Sequence, residues 1–163
     1  MAVRFTVDEV LATAEAIEAN AIHFYDLAAA SVSRDDCRRL LKELAGWEQS
    51  HKQTFADMRT ALSDAEKTSP VFDPDDEAAL YLRALSDTSV FKLGEDPGVR
   101  LGRDPAYRDI LLAAIGLEKE SIVFYVGMRD LVSQSMGQSK VDAILNEERT
   151  HVAMLGQELS RLE

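Results

Sequence analysis

The chain has 163 residues, 46% hydrophobic and 29% charged, so it is long enough to bury one sizeable core, and we expect a single domain over residues 1–163. Its net charge of −11 disfavours nucleic acid and anionic membranes as partners, since both are bound through Lys and Arg. A single cysteine, Cys37, excludes an intrachain disulfide and a four-cysteine metal site. Acidic residues at Asp8 and Glu9 precede any apolar run, so we expect no signal peptide, no membrane span and a cytoplasmic location.

Two long amphipathic helices are predicted in the first part of the chain. Thr6 and Glu9 form a capping box, and apolar residues then recur at helical spacing over about residues 7–30. An N-cap at Ser33 predicts the start of the second helix. Because only a few residues connect them, the two helices are expected to be antiparallel neighbours in a hairpin spanning about residues 7–66.

A crossover of about residues 67–104 is predicted to separate this hairpin from a second one. Pro70 and Pro74 interrupt the helical pattern at its beginning. Asp73 before Pro74 then predicts the start of a short helix that continues to about Leu85. A passage rich in Gly and Asp leads from there to the second hairpin.

The second hairpin, over about residues 105–162, repeats the plan of the first. Asp104 followed by Pro105 predicts the start of the third long helix, which extends to about Val132. Gly137 marks a break, and the fourth long helix follows it almost to the C-terminus. The sequence therefore predicts an all-α four-helix bundle of two hairpins joined by a long crossover that contains a short helix.

An internal repeat relates the two hairpins. An offset of 100 residues superposes Glu18 on Glu118, Phe24 and Tyr25 on Phe124 and Tyr125, Glu48 on Glu148, and His51 on His151. Each half thus contains a Glu, a Tyr seven residues later, and an E-x-x-H motif that begins 30 residues after the first Glu. We interpret the two hairpins as an internal duplication.

The repeated polar residues predict a pair of metal ions in the bundle interior. Residues three apart lie on one side of a helix, so the Glu and His of each E-x-x-H motif can bind one ion together. In an antiparallel hairpin, 30 residues bring the chain back to the same level, which places the first Glu of each half opposite that motif. Six ionisable groups in a helical core are unstable unless they are neutralised, and two divalent cations would neutralise them. The predicted metal ligands are Glu18, Glu48, His51, Glu118, Glu148 and His151.

Five further residues near the motifs admit more than one interpretation. Tyr25 and Tyr125 lie on the same helix faces as the predicted ligands and either donate hydrogen bonds to them or are plain core aromatics. Glu15 is an additional ligand, a proton relay or uninvolved. Glu147 is rotated by about 100° from the ligand direction, so we expect it to be solvated. Trp47 is interpreted as a packing residue or a subunit contact.

The motifs and their spacing resemble those of rubrerythrins and the ferritin-like superfamily of di-iron carboxylate proteins, over essentially the whole chain. The resemblance implies a ferritin-like bundle and specific ligand roles: terminal ligation by Glu18 and Glu118, bridging by Glu48 and Glu148, and one imidazole per ion from His51 and His151. Two iron ions per chain are expected. Oxygen-rich ligands with two imidazoles suit iron or manganese, and zinc is a further candidate.

The same resemblance implies an oxidoreductase that reduces hydrogen peroxide or dioxygen. Rubrerythrins proper carry a rubredoxin-like domain with a four-cysteine iron, and this chain has one cysteine, so the electrons are expected from a separate donor protein. Ferritin-like oxidation of Fe(II) for storage and dimanganese catalase chemistry remain alternatives, as does a helical interaction module with a vestigial site. The resemblance and the spare apolar and aromatic residues also suggest a homodimer.

Overall fold

The computed structural model of the chain describes residues 5–68, 77–88, 97–102 and 104–162. Four long helices account for most of these residues: α1 (Val7–Ser31), α2 (Asp35–Ala61), α5 (Tyr107–Arg129) and α6 (Gln138–Ser160). The shorter elements are α3 (Asp64–Thr68), α4 (Glu77–Thr88) and two 3₁₀ turns at Pro97–Arg100 and Gln134–Met136. The predicted all-α fold is confirmed.

Helix α1 begins with the predicted capping box. The Thr6 backbone N–H donates to Glu9 Oε2 at 2.8 Å, and the Glu9 N–H donates to Thr6 Oγ1 at 3.2 Å. Two N–H groups that the first helical turn leaves unpaired are therefore satisfied. Asp8 and Glu9 also place negative charge at the positive end of the helix dipole.

The N-cap predicted for α2 at Ser33 is wrong. Arg34 occupies the N-cap position, and its side chain makes no capping hydrogen bond. The Asp36 carboxylate instead accepts hydrogen bonds from the Arg34 guanidinium, with Nη2 and Oδ2 2.5 Å apart. Asp35 and Asp36 in the first turn still favour the helix start through the dipole.

The predicted start of α5 at Asp104 and Pro105 is also wrong, because the helix begins at Tyr107 with Ala106 as its N-cap. Asp104 adopts a left-handed conformation with φ of 54°, which differs from the extended backbone that is typical of an N-cap residue. The helix ends at Arg129, before the predicted Val132. Gly137 is a break as predicted, with φ of 108°, and it forms the N-cap of α6.

The described residues between α2 and α5 contain more helix than the sequence predicted. The predicted short helix is present as α4, although its proposed start at Asp73 and Pro74, like Pro70, lies outside the described residues. Helix α3 was missed, and its start is a second capping box. The Ser63 N–H donates to Glu66 Oε2 at 2.8 Å, and the Glu66 N–H donates to Ser63 Oγ at 3.3 Å.

The long helices pack as two hairpins that face each other. Helix α1 lies along α2 and α5 lies along α6, while α1 also contacts α5 and α2 contacts α6. The buried positions follow the 100-residue repeat, as in Val10 and Ile110, Leu11 and Leu111, Ala14 and Ala114, Ile17 and Leu117, Leu41 and Val141, Leu44 and Ile144, and Phe55 and Leu155. The two hairpins therefore present equivalent faces to the shared core. Within the described ranges, no helix combines the length and apolar character needed to cross a bilayer.

Candidate metal centre

The six polar residues singled out by the repeat are buried together between the hairpins. Each exposes 3% of its surface or less, in a core that is otherwise almost entirely apolar. Helices α1 and α5 each contribute one Glu, and helices α2 and α6 each contribute one Glu and one His. We refer to Glu18, Glu48, His51, Glu118, Glu148 and His151 as the cluster.

Three other members of the cluster surround the Nδ1 atom of His51. This nitrogen lies 3.1 Å from Glu48 Oε2 and 3.2 Å from Glu148 Oε1. Glu18 Oε1 is 3.8 Å away. One ligand atom from each of the four residues lies within 4.8 Å of the other three, close to the separations of ligands that share one ion with bonds of roughly 2.0–2.2 Å. We call this arrangement the His51 position.

A second, equivalent arrangement surrounds the Nδ1 atom of His151. This nitrogen lies 3.0 Å from Glu48 Oε1, 3.2 Å from Glu148 Oε2 and 3.7 Å from Glu118 Oε2. Glu48 and Glu148 therefore belong to both arrangements, and each presents opposite oxygens to the two histidines. We call this second arrangement the His151 position.

Several ligand atoms of the cluster are buried without a hydrogen bond. These atoms are Glu18 Oε2, Glu48 Oε1, both side-chain oxygens of Glu148, and His151 Nδ1. Some of them lie 3.0–3.2 Å from a histidine nitrogen, but they are not aligned for hydrogen bonding. An unsatisfied buried polar atom costs about 1–3 kcal/mol, and a cation among these lone pairs would remove that cost. Carboxylate oxygens with imidazole nitrogens fit iron or manganese, and they also occur at zinc sites.

In the absence of a metal, the cluster retains protons. Burial and the charge of neighbouring glutamates raise the pKa of Glu18 and of Glu118 well above the usual range. Burial lowers the pKa values of the histidines, but the negatively charged carboxylates close to both rings outweigh it and raise the pKa of His51 to about 10 and that of His151 to about 12. Burial raises the pKa of Glu148, yet its contacts with both histidines prevail and lower it to about 2. A binding metal must therefore displace protons.

The two buried tyrosines donate hydrogen bonds across the bundle. The Tyr25 hydroxyl donates to Glu118 Oε1, and the Tyr125 hydroxyl donates to Glu18 Oε1. Each tyrosine thus bonds to the glutamate of the opposite hairpin and not to the glutamate seven residues before it on its own helix. Burial, with the charge of the acceptor glutamate, raises the pKa of Tyr25 and of Tyr125 well above the usual range, so both hydroxyls keep their protons.

The structure corrects the interpretation of residues beside the cluster. Glu147 is exposed as expected, with 57% of its side chain accessible, but it also accepts a hydrogen bond from the Nε2–H of His51 at 2.9 Å. Trp47 does pack, and its partner is His151, with ring centroids 5.1 Å apart and an interplanar angle of 14°. Glu15 lies outside both metal arrangements and accepts a hydrogen bond from Arg59 Nη1 at 3.0 Å.

A surface depression of about 250 Å³ opens beside the cluster. It is lined by Trp47, Glu147, Thr150, His151 and Met154. His151 is the one cluster residue that lines it. The His151 side of the cluster is therefore the side that small solutes can approach through this depression.

Comparison with known proteins supports the fold. No family model matches the chain, and no curated protein does. A solved structure from Thermotoga maritima, provisionally described as a ferritin-like diiron-carboxylate protein, superposes with a TM-score of 0.77. The alignment covers 98% of each chain at 21% sequence identity. The chain therefore has a ferritin-like fold, with a buried cluster of carboxylates and imidazoles suited to metal binding.

Proposed function

We propose that the chain is a di-iron oxidoreductase of the rubrerythrin type. In this proposal the His51 position and the His151 position each hold one iron ion, with Glu18 and Glu118 as terminal ligands and Glu48 and Glu148 shared between the ions. The observation that carries the proposal is the double membership of Glu48 and Glu148, each with one oxygen toward each histidine. Two ions joined by carboxylates are the arrangement that this geometry favours.

Two iron ions, when bound, supply the two electrons that reduce one peroxide molecule to water. The chain's own residues would prepare the site for that chemistry. Tyr25 and Tyr125 hold the carboxylates of Glu118 and Glu18 in place across the bundle. The packed helices around the cluster limit the access of water.

The first prediction is that each chain binds two divalent ions. Anaerobic loading with Fe(II), followed by gel filtration and elemental analysis, should give about two ions per chain, because the two arrangements share their central ligands. A Glu43→Ala variant is a matched control, since Glu43 is an exposed residue on the same helix as Glu48. A ratio of one, or no metal above background, would contradict the proposal.

The second prediction concerns the oxidant. On the rubrerythrin resemblance, diferrous protein should be oxidised faster by hydrogen peroxide than by dioxygen. Repeated turnover should require an external reductant, which a separate donor protein would supply in the cell. Stopped-flow mixing with each oxidant measures both rates. Faster reaction with dioxygen followed by accumulation of ferric ions would favour iron storage. Reductant-free peroxide disproportionation by manganese-loaded protein would favour a catalase.

We also propose that the protein acts as a cytoplasmic homodimer. Val123 and Val126 on α5 are more than two-fifths exposed, as is Leu112 on the same helix. A second copy that packs against this face would bury them. Size-exclusion chromatography with light scattering distinguishes a dimer from a monomer and from a large shell, and a monomer would contradict this part of the proposal.

A further inference from the structure

The two halves of the cluster differ at one repeated position. Trp47 precedes Glu48 in the first hairpin, and Glu147 precedes Glu148 in the second, so the two residues are equivalent in the 100-residue repeat. Each side chain crosses to the histidine of the opposite hairpin, Trp47 to His151 and Glu147 to His51. The two equivalent positions therefore both contact a histidine, one through an aromatic ring and the other through a carboxylate.

Glu147 fixes the orientation of His51. Its carboxylate accepts the Nε2 proton at 2.9 Å, so the proton that a binding cation displaces is the one on Nδ1, the nitrogen that faces Glu48 and Glu148. A carboxylate that accepts the outer N–H of a metal-binding histidine holds the ring in place and makes it a better ligand. Glu147 therefore holds the ring of His51 with Nδ1 directed at the place where a cation would bind.

Trp47 gives His151 a different kind of support. The indole lies nearly parallel to the imidazole and restrains its plane, with 14° between the rings. Tryptophan has only a donor N–H, so it cannot accept the Nε2 proton of His151 as a carboxylate would. His151 also lines the surface depression, which makes its position the more accessible of the two.

We propose that the two metal positions are unequal, with a tightly held ion at the His51 position and an exchangeable ion at the His151 position. Glu147 is the positioning residue that creates the difference, and the depression beside Trp47 is the route by which the second ion exchanges. This inference rests on the proposed binding of two ions. Beyond that binding, the ion at the His51 position is the one that stays and the ion at the His151 position is the one that exchanges.

The test is a titration of metal-free protein with Co(II) or Mn(II), followed by calorimetry and, for Co(II), by visible absorption. The unaltered protein should bind two ions in distinct steps whose constants differ by about 10–100-fold, the usual effect of a carboxylate behind a histidine ligand. Glu147→Ala should weaken the tighter step by about that factor and leave the weaker step in place. Glu147→Gln should restore most of the loss, since its amide oxygen also accepts the Nε2 proton.

A reciprocal variant makes the test sharper. Trp47→Glu places a carboxylate at the repeat-equivalent position, so it should strengthen the weaker step and bring the two constants together. Glu43→Ala serves as the surface control and should change neither step, and circular dichroism checks the fold of each variant.

Three results would overturn the inference while the proposed function stands: two equal steps in the unaltered protein, equal weakening of both steps in Glu147→Ala, or a Glu147→Gln variant as weak as the alanine variant. Failure of the unaltered protein to bind metal would instead overturn the proposed function, and with it this inference.

Discussion

Replacing Glu48 with alanine is expected to abolish tight binding of both metal ions. Glu48 presents one oxygen to His51 and the other to His151, so its removal takes a ligand from both positions at once. We expect the affinity for each ion to fall by more than the roughly 10–100-fold typical of residues that only support a ligand. Titration with Mn(II), followed by calorimetry, measures the loss.

Glu18→Ala is the informative companion variant. Glu18 belongs only to the His51 position, so its loss should strongly lower the affinity for the ion at that position and leave the ion at the His151 position bound. Glu43→Ala should retain both ions. If Glu48→Ala keeps one ion at full affinity, or if Glu18→Ala loses both ions equally, Glu48 is not shared in the way that the geometry implies.

The metal-free protein is expected to become less stable as the pH rises from about 6 to about 9. The folded protein holds protons on His51 and His151 with pKa values of about 10 and about 12, whereas unfolded histidine loses its proton near pH 6.5. This stabilisation is complete below pH 6.5 and is lost as the pH rises through the folded values. The raised pKa values of Glu18 and Glu118 act in the same direction above about pH 4.5.

Metal binding should reverse this trend. Because ligands must lose their protons, the affinity for Mn(II) rises with pH, and the bound ions stabilise the folded state increasingly. Differential scanning calorimetry should show the metal-free Tm falling by about 5 °C or more between pH 6 and 9, while the gap to the metal-loaded Tm widens. A His51→Gln, His151→Gln double variant should have a shallower pH dependence. A metal-free Tm that rises over this range would contradict the arrangement of charges.

The fold was largely predictable because its signals are local. The capping box at Thr6, the break at Gly137 and the helical spacing of apolar residues each depend on a few neighbouring residues. The errors occurred where another local contact or the backbone conformation overrode the expected capping pattern. Arg34 binds Asp36 at the start of α2, and Asp104 adopts a left-handed backbone instead of the extended one that is typical of an N-cap residue.

The convergence of the six cluster residues also followed from the sequence, because one repeat specified the helix face and the level of each residue. The contacts that surround these six residues could not be predicted from the sequence. Tyr25 reaches Glu118, and Glu147 reaches His51, only because the hairpins pack at a particular rotation and register. Helical periodicity within one chain segment carries no information about that rotation. The position of Glu147 on α6 therefore predicted only exposure to solvent. Its bond to His51 on α2 could not be predicted.

The most direct test of the central claim is anomalous diffraction from crystals soaked in Mn(II). We predict two anomalous peaks between the hairpins, about 3.5–4 Å apart, with Glu48 and Glu148 contacting both. One peak would be near His51 and the other near His151. A single peak, peaks elsewhere on the molecule, or two peaks without a shared glutamate would contradict the assignment of this cluster as a dimetal centre.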